Sequence, residues 1–558
     1  MEVPEGPVIV TSGLPYANGP CHIAHLRSYA PPDVYVRLLR KLGVETVFVC
    51  GSDTHGSPIS VEAERRGITP EELVDHYHRH FIEVFRKLRI EFDNYGSTDD
   101  PINHEMARRF VETMRRKGLI YPREVEFPYC PRCDRFLPDR YVQGTCPYCG
   151  TPNVRGDECD LGCGRYLAPG EVRDPRCAIC GSPATMKRRR HYFFKLTAFS
   201  SFLKGYLERL RGTDIARKYA LRWLEAGLRD WCITRDLRWG IKFPGEPDLT
   251  LYVWWDAPIG YISSTIEWAE RTGGDWERLW KGDGKIVHFI GSGITYHHAL
   301  FWPSMLKGAG YNVPWAIVAS GAVKIKGKPF SKTRGYVVWV EDDYLKRGFD
   351  PDCLRYYVLS FTSHVRDLNF SWEDYQAKVN DELVAALGNF VHRTLVFAHR
   401  HWGAIPSGAA EEAVLDEIQR TIDRVKREIL DYRFKRACDA VLTLAHFGNR
   451  YFHRNEPWSL IKTDRDRCAG VIYNCLLIAR ALAVLMEPMM PGKAEELWRQ
   501  LGEEGDVHSA PIEEAVKPIE PHEIPRPRPI FRKVSDREIE EVKRIIDERI
   551  RRAARTIR

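Results

Sequence analysis

The sequence predicts an α/β domain built on a parallel sheet, interrupted by a cysteine-rich insertion and followed by an α-helical bundle. Three observations carry this. Apolar runs of strand length, "PVIVTSG" and "ETVFVCGSD" near the start and "LTLYVWW", "GKIVHFIGS" and "WAIVASGAV" between about 249 and 325, are separated by helical patterns. Eight of the fifteen cysteines fall between Cys130 and Cys180, in a stretch rich in Gly, Pro and Arg. From about 375 to 505 the apolar period is helical throughout.

Residues 7–60 read as strand, turn, helix and strand, the second strand ending in Gly51-Ser52-Asp53. Open α/β sheets hold their ligands where a strand runs into such a loop. Ile68 to Ile90 reads as a helix, with Thr69 as N-cap, Pro70 in the first turn and Glu72 as the reciprocal cap. Residues 125–190 can bury little apolar surface and need an external staple. Strands return after 249, so the cysteine-rich piece is an insertion between two halves of one sheet domain. "IEPHEIPRPRPIFRKV" is a proline-rich connector, and "DREIEEVKRIIDERIRRAARTIR" a charged amphipathic helix.

A chain of 558 residues exceeds one ordinary core and suggests three or four domains. Its 44% apolar and 28% charged residues are those of a globular protein. Met1 to Gly6 are mixed polar and do not read as a secretory signal. "CAGVIYNCLLIARALAVLMEPMMP" carries Asn474, Arg480 and Glu487, so it is expected as a helix buried in a bundle, not a membrane span. The expected location is cytoplasmic. A net charge of +7 permits a polyanionic partner without demanding one.

The clustered cysteines form four pairs: Cys130/Cys133, Cys146/Cys149, Cys159/Cys163 and Cys177/Cys180. Three are C-x2-C and one is C-x3-C, spacings that let both thiolates of a turn face one tetrahedral ion. Eight thiolates make two closed, structural zinc sites. Spacing leaves the pairing open; the expectation is nested, with Cys146, Cys149, Cys159 and Cys163 on one ion and the outer four on the other.

His22 and His25 stand three apart after the Asn18-Gly19-Pro20 turn, ahead of a helix. Alone, such a pair is more often two histidines on a helix face. Near the end of the sheet domain, "KIKGKPFSKTRG" sets Lys324, Lys326, Lys328, Ser331 and Lys332 in a short loop. A cationic loop facing paired imidazoles can hold a triphosphate from both sides.

Together these stretches resemble the HIGH and KMSKS signatures of class I aminoacyl-tRNA synthetases. "LPYANGP", "CGSDTHGSPI", "RFLPDRYVQGTCPYCG", "DWCITRDLRWGI", "YVWWDAPIGY", "YHHALFWPSML", "LGNFVHR" and "NEPWSL" narrow the resemblance to the methionyl-tRNA synthetases of the archaeal or eukaryotic-like type, over nearly the whole chain. The resemblance implies a Rossmann-type catalytic domain with a zinc-knuckle insertion and an α-helical bundle that binds the anticodon. Its segments would be 1–117 and 236–325 for the two catalytic halves and 118–235 for the insertion. The stem-contact region would be 326–380, the bundle 381–520 and the connector with its helix 521–558. Methionine would lie among Leu14, Tyr16, Trp254, Ala257, Pro258, Tyr261, Ile294 and His298, with Asp53 on its ammonium group. ATP, carrying Mg2+, would meet His22, His25, Arg235, Gly291, Ser331 and Lys332, with His22, His25 and Lys332 catalytic. Asn389, Arg393 and Trp458 would read the anticodon of tRNA(Met).

Ala24, Gly293 and Pro329 depart from the family pattern on the ATP side: they replace a glycine, an acidic ribose ligand and the first signature lysine. They motivate a second reading, a catalytically impaired paralogue that binds methionine or tRNA. The lack of a large editing insertion argues against the isoleucine, valine and leucine enzymes. The family's optional C-terminal dimerisation domain is not in the sequence, so the expectation is a monomer or a chain served by a separate tRNA-binding protein.

Overall fold

A computed structural model describes residues 3–159, 161–332 and 334–557; Met1 and Arg558, the outer ends of the first and last expected segments, lie outside the described residues. Six strands form the central sheet: β1 (Val8–Ser12), β2 (Thr46–Ser52), β3 (Asn94–Ser97), β4 (Arg211–Gly212), β5 (Lys285–Gly291) and β6 (Ala316–Ser320). They pair in parallel, in the order β4-β6-β5-β1-β2-β3. Alternate residues enter opposite cores: Val8, Val10 and Phe48 face one, Ile9, Val47 and Val49 the other. Burial on both faces is why these strands are continuous apolar runs in the sequence. Strand order reverses between β1 and β5, which makes the crevice at their carboxyl ends the topological switch point.

Helix α1 (Ile23–Lys41) starts at that crevice and packs on the first core despite Pro31 and Pro32 in its middle. Each proline removes a helical N–H, a cost of about 3 kcal/mol that the burial of nearly the whole helix offsets. The helix Pro70–Lys87 forms as expected, with Glu72 N–H donating to Thr69 Oγ1 and Thr69 N–H to Glu72 Oε2.

One expectation is corrected. The run "LTLYVWW" is not a strand of the parallel sheet. Glu246–Leu251 joins a separate antiparallel sheet with Thr234–Arg235 and Lys242–Phe243, and Val253–Asp256 is a short helix. Burial of Trp255 and Asp256 overrides the β propensity of the aromatics. The segment expected as insertion also returns β4 to the sheet edge beside β6 before residue 235.

The insertion leaves on a long antiparallel hairpin, Ile120–Cys130 against Thr185–Phe194, with the cysteines at its far end. The bundle comprises Asn389–His401, Glu412–Leu430, Phe434–Asn455, Arg465–Met486 and Pro491–Leu501, and shares one continuous core with a face of the sheet. Among the described residues, Arg465–Met486 is the one helix long and apolar enough to cross a membrane, and 89% of its apolar window is buried inside the protein. The last helix, Asp536–Ile557, folds back onto the sheet domain through Arg549, whose guanidinium holds Asp343 at 2.7 and 2.8 Å.

Candidate active site

The carboxyl ends of β1, β2 and β5 each deliver one wall of the crevice. Beyond β1, Leu14 and Tyr16 follow Gly13, whose lack of a side chain lets Ile294 approach; an added Cβ would stand 3.1 Å from Ile294 Cδ1. Beyond β2, Asp53 is tied to the β1 loop through its backbone: its N–H donates to Pro15 O, and its carbonyl accepts from Ala17 N–H. Its side chain is 5% exposed, and Oδ1 has no hydrogen-bond partner. Burial and the nearby Asp256 carboxylate push its pKa well above the ordinary carboxylate range, with His55 pulling the other way, so its ionised form calls for a cation.

The apolar wall closes around this carboxyl group. Tyr261 O–H donates to His298 Nε2 at 2.9 Å, and His298 Nδ1–H donates to Ile294 O at 3.1 Å, which fixes the tautomer. Burial lowers His298 to about 4, so it is a neutral ring. Trp254 stacks on His297 with centroids 3.7 Å apart. Ala257 and Pro258 lie buried at the start of the helix that carries Tyr261. The structure therefore brings together all nine residues expected around methionine. His297 was not among them: in sequence it is one more histidine beside His298, and only the stack singles it out.

On the other side of the crevice, His22 precedes α1 and its N–H donates to His25 Nδ1 at 3.1 Å. A neutral His25 therefore carries its proton on Nε2. The two rings stack at 3.7 Å, and Phe330 covers His22 at 3.9 Å. Burial lowers His25 to about 3, with the Lys332 cation adding to it, and burial and His25 push His22 well below its ordinary value. The imidazoles are thus uncharged N–H donors at a helix N-terminus, and Lys332 supplies the cation.

Lys332 reaches across to Asn18 Oδ1 at 3.3 Å. An added Cβ on Gly19 would stand 2.4 Å from its Nζ, so glycine at this turn leaves the ammonium room to lie against it. Burial in the cleft lowers Lys332 to about 8. The other lysines differ. Val323–Ile325 and Lys328–Pro329 make a hairpin turning at Lys326 (φ 52°) and Gly327 (φ 72°), the two left-handed positions of a type I′ turn. Lys324 pairs with Asp367 and Lys326 with Asp547, while Lys328 lies exposed on the second strand. Ser331 N–H donates to Tyr336 O, shaping the loop that presents Lys332.

Among the departures, Ala24 packs its methyl against the core. Gly293 and Gly291 face open space where a Cβ would stand, and Gly293 O accepts from Tyr166 O–H at 3.0 Å. Tyr166 comes from the insertion, so the knuckle docks where the acidic side chain is missing. Arg235 is held from one side: Nε pairs with Asp139 at 2.9 Å, and Nη1 donates to Cys232 O and Thr234 O.

The eight cysteines gather as two clusters, Cys130, Cys133, Cys177 and Cys180, and Cys146, Cys149, Cys159 and Cys163. Contacts of 3.5 Å (Cys130–Cys180, Cys149–Cys159) and 3.9 Å (Cys133–Cys177, Cys146–Cys163) bracket the about 3.8 Å edge of a tetrahedron with 2.3 Å Zn–S bonds. The donor sets fit structural zinc, and the nested grouping is the one present.

Far from the crevice, Asn389 and Arg393 are exposed on the helix Asn389–His401. Arg393 donates to Asn449 Oδ1 at 3.1 Å and lies 4.2 Å over the Phe452 ring. Trp458 is 40% exposed, 6.1 Å from Phe452 and 5.7 Å from His453, after a left-handed Glu456 that breaks the preceding helix.

A parallel sheet with paired histidines at its switch point, a lysine loop and a helical bundle defines a class I aminoacyl-tRNA synthetase. Residues 8–395 match the family described as tRNA synthetases class I (M), and residues 403–548 match the anticodon binding domain of methionyl tRNA ligase. The chain is 55% identical over 546 residues to the methionine–tRNA ligase of Methanosarcina mazei, covering 98% of this chain and 76% of that protein. It is 52% identical over 544 residues to that of Archaeoglobus fulgidus, covering 97% and 82%. The chain belongs to the methionyl-tRNA synthetase family. Its fold is shared with Mycobacterium tuberculosis methionyl-tRNA synthetase bound by methionyl-adenylate, at a TM-score of 0.79 and 24% identity over 94% of this chain and 100% of that one.

Proposed function

We infer that the chain activates methionine with ATP and transfers it to the 3′ end of tRNA(Met). The observation that carries this is a pocket of aromatic and weakly polar walls, ending on a buried carboxyl group, in one crevice with His22, His25 and Lys332. A thioether is polarisable and nearly apolar, and such walls suit it. Asp53 takes the ammonium group. ATP enters with magnesium on its phosphates, and Gly291 and Ser331 line the nucleotide side.

The methionine carboxylate attacks the α-phosphorus, and the acyl–phosphate bond forms as the bond to pyrophosphate breaks. Charge growing on the phosphates meets the His22 and His25 N–H groups and the Lys332 ammonium. A terminal ribose hydroxyl of the tRNA then attacks the adenylate carbonyl, and AMP leaves. A cavity of about 790 Å³ between insertion and catalytic domain, lined by Arg123, Arg165, Arg229, Tyr166 and Trp223, offers the unpaired acceptor strand cations and stacking surfaces. Arg235 holds the insertion to the sheet domain. Asn389, Arg393 and Trp458 give the anticodon hydrogen-bonding groups and a stacking ring. Each cysteine cluster holds one structural zinc, which fastens its loops when bound. The seven cysteines outside the clusters are free thiols, which suits a reducing cytoplasm.

The test is amino-acid-dependent ATP–pyrophosphate exchange across a panel of amino acids. Exchange with methionine alone is expected. Methionine binding without exchange would establish the impaired paralogue instead, and exchange with another amino acid would reassign the pocket.

A further inference from the structure

Two residues beyond Asp53, the chain buries His55, whose side chain is 1% exposed. Its Nδ1 lies 2.7 Å from Asp256 Oδ2, and its Nε2 lies 3.2 Å from Asp99 Oδ1. His104 Nε2 meets the same Asp99 oxygen at 3.0 Å. Trp239 closes the remaining side, edge-on at 5.5 Å, and donates its indole N–H to Thr54 O. These groups form a hydrogen-bonded row from the half-exposed His104 and Asp99 down to Asp256 beneath the crevice.

Ionised carboxylate oxygens only accept hydrogen bonds, so a ring with one on each nitrogen must carry both protons. His55 is therefore an imidazolium. Burial disfavours its charge, but Asp256 and Asp99 hold it up to about 9. The groups facing it are Asp256 from the helix Val253–Asp256, Asp99 and through it His104 from the helix Pro101–Arg116, and Asp53 on its own loop. His55, Asp99 and His104 also lie close enough to share a metal ion. An imidazolium has no lone pair for one, so the two states exclude each other.

The consequence falls on Asp53. Two buried carboxyl groups, Asp53 and Asp256, repel each other's charge, and His55 is the cation that opposes this. With His55 charged, Asp53, Asp256 and His55 together carry one net negative charge, which the substrate ammonium neutralises. We propose that His55, clasped between Asp256 and Asp99, is a positioning residue that favours the ionised form of Asp53 against burial and Asp256, and thereby makes the pocket select an α-ammonium group. The proposal rests on Asp53 being the partner of the methionine ammonium.

The experiment uses the full chain and compares methionine with its desamino analogue, 4-(methylthio)butanoate, as a competitive ligand. Without the His55 cation Asp53 should hold its proton to higher pH, and one unit of such a shift is about tenfold in affinity. For His55→Gln, kcat/KM for methionine in pyrophosphate exchange should fall about tenfold at pH 7 through KM, with a new acid limb between about pH 6 and 8. Binding of the desamino analogue should stay within about twofold. Asp99→Asn, at a half-exposed position that tolerates change, should move methionine in the same direction by about threefold. An unchanged KM and pH profile in both variants, or equal weakening of both ligands, would overturn the proposal. Asp53→Asn separates the two claims. If it weakens both ligands equally, Asp53 is not the ammonium partner. If it weakens methionine alone while His55→Gln does not, only the role of His55 fails.

Discussion

Lys332 is the lysine of its loop drawn to the paired histidines: Asp367 and Asp547 hold Lys324 and Lys326 elsewhere, and Lys328 lies exposed on the second strand of the hairpin. With His22 and His25 neutral, the positive charge for the departing pyrophosphate rests on this ammonium. Lys332→Ala should therefore lower the rate of adenylate formation about 10²–10³-fold, the size of losing one preorganised charge-stabilising donor. Methionine binding, measured by fluorescence or calorimetry, should stay within about twofold, because Asp53 and the aromatic walls are untouched. Equal losses in both would contradict the role. At this scale the sequence was informative where chemistry requires a residue type. The eight cysteines are legible because few other reasons place them at such spacings, while the two histidines and Lys332 take their meaning from each other and from the stretches around them. His55, His297 and Phe330 were not, since a buried histidine or aromatic looks the same in sequence whether it fills a core or faces a ligand. Arg235 shows what sequence leaves out: its expected place beside phosphate says nothing of the ion pair with Asp139, distant in the chain, that orients its guanidinium.

At the scale of elements, period and capping were dependable. The buried parallel strands and the Thr69-capped helix follow from short-range patterns. The aromatic run at 252–255 did not, because its helix is stabilised by what Trp255 and Asp256 meet across the fold. The insertion shows what a metal does for a segment with little core of its own: among the described residues its tip buries two small clusters, built largely on the cysteines and a few neighbours such as Val142, Val154 and Leu167. Nested pairing makes a sharp prediction for metal content. The double variant Cys146→Ser/Cys163→Ser should keep one zinc per chain by elemental analysis, because both substitutions strike the same cluster. Sequential pairing would place them on different ions and strip both. Loss of the inner zinc should also slow pyrophosphate exchange, since Tyr166 sits beside that cluster and reaches Gly293 and His297.

Across the whole molecule, α1 joins the two functions. Its first residues follow His22, and its last lie about 28 Å away at 1.5 Å per residue. There Arg37 Nη1 meets Glu487 Oε1 at 2.7 Å and Lys41 Nζ meets Oε2 at 3.4 Å, with His508 on the same carboxylate at 2.8 Å. Arg37 also holds Asp33 at 2.9 Å, which Arg355 shares at 2.6 Å. Glu487 follows the most buried helix of the bundle, so this cluster pins the bundle to the sheet domain. Burial alone would raise the Glu487 acid, but Arg37, His508 and Lys41 bring it down to about 2. A carboxyl group depressed in the folded state stabilises above its unfolded value of about 4.5, and that contribution is lost as pH falls toward about 2. The hydrogen bond to Glu487 raises His508, whose contribution is complete below about 6.5 and is lost as pH rises through its folded value. Glu487→Gln leaves Lys41 buried without its counter-ion and Arg37 with Asp33 and Glu91 alone, a loss of about 3 kcal/mol at pH 7. Urea unfolding should show a lower midpoint at neutral pH and a shallower decline than wild type between about pH 4.5 and 2, because the group whose protonation drives that decline is gone. A parallel shift of the two acid profiles would mean that Glu487 does not carry the pH dependence. Because the same helix ends at His22, the substitution should slow tRNA charging more than pyrophosphate exchange, the first requiring bundle and crevice to hold one tRNA together and the second only the crevice.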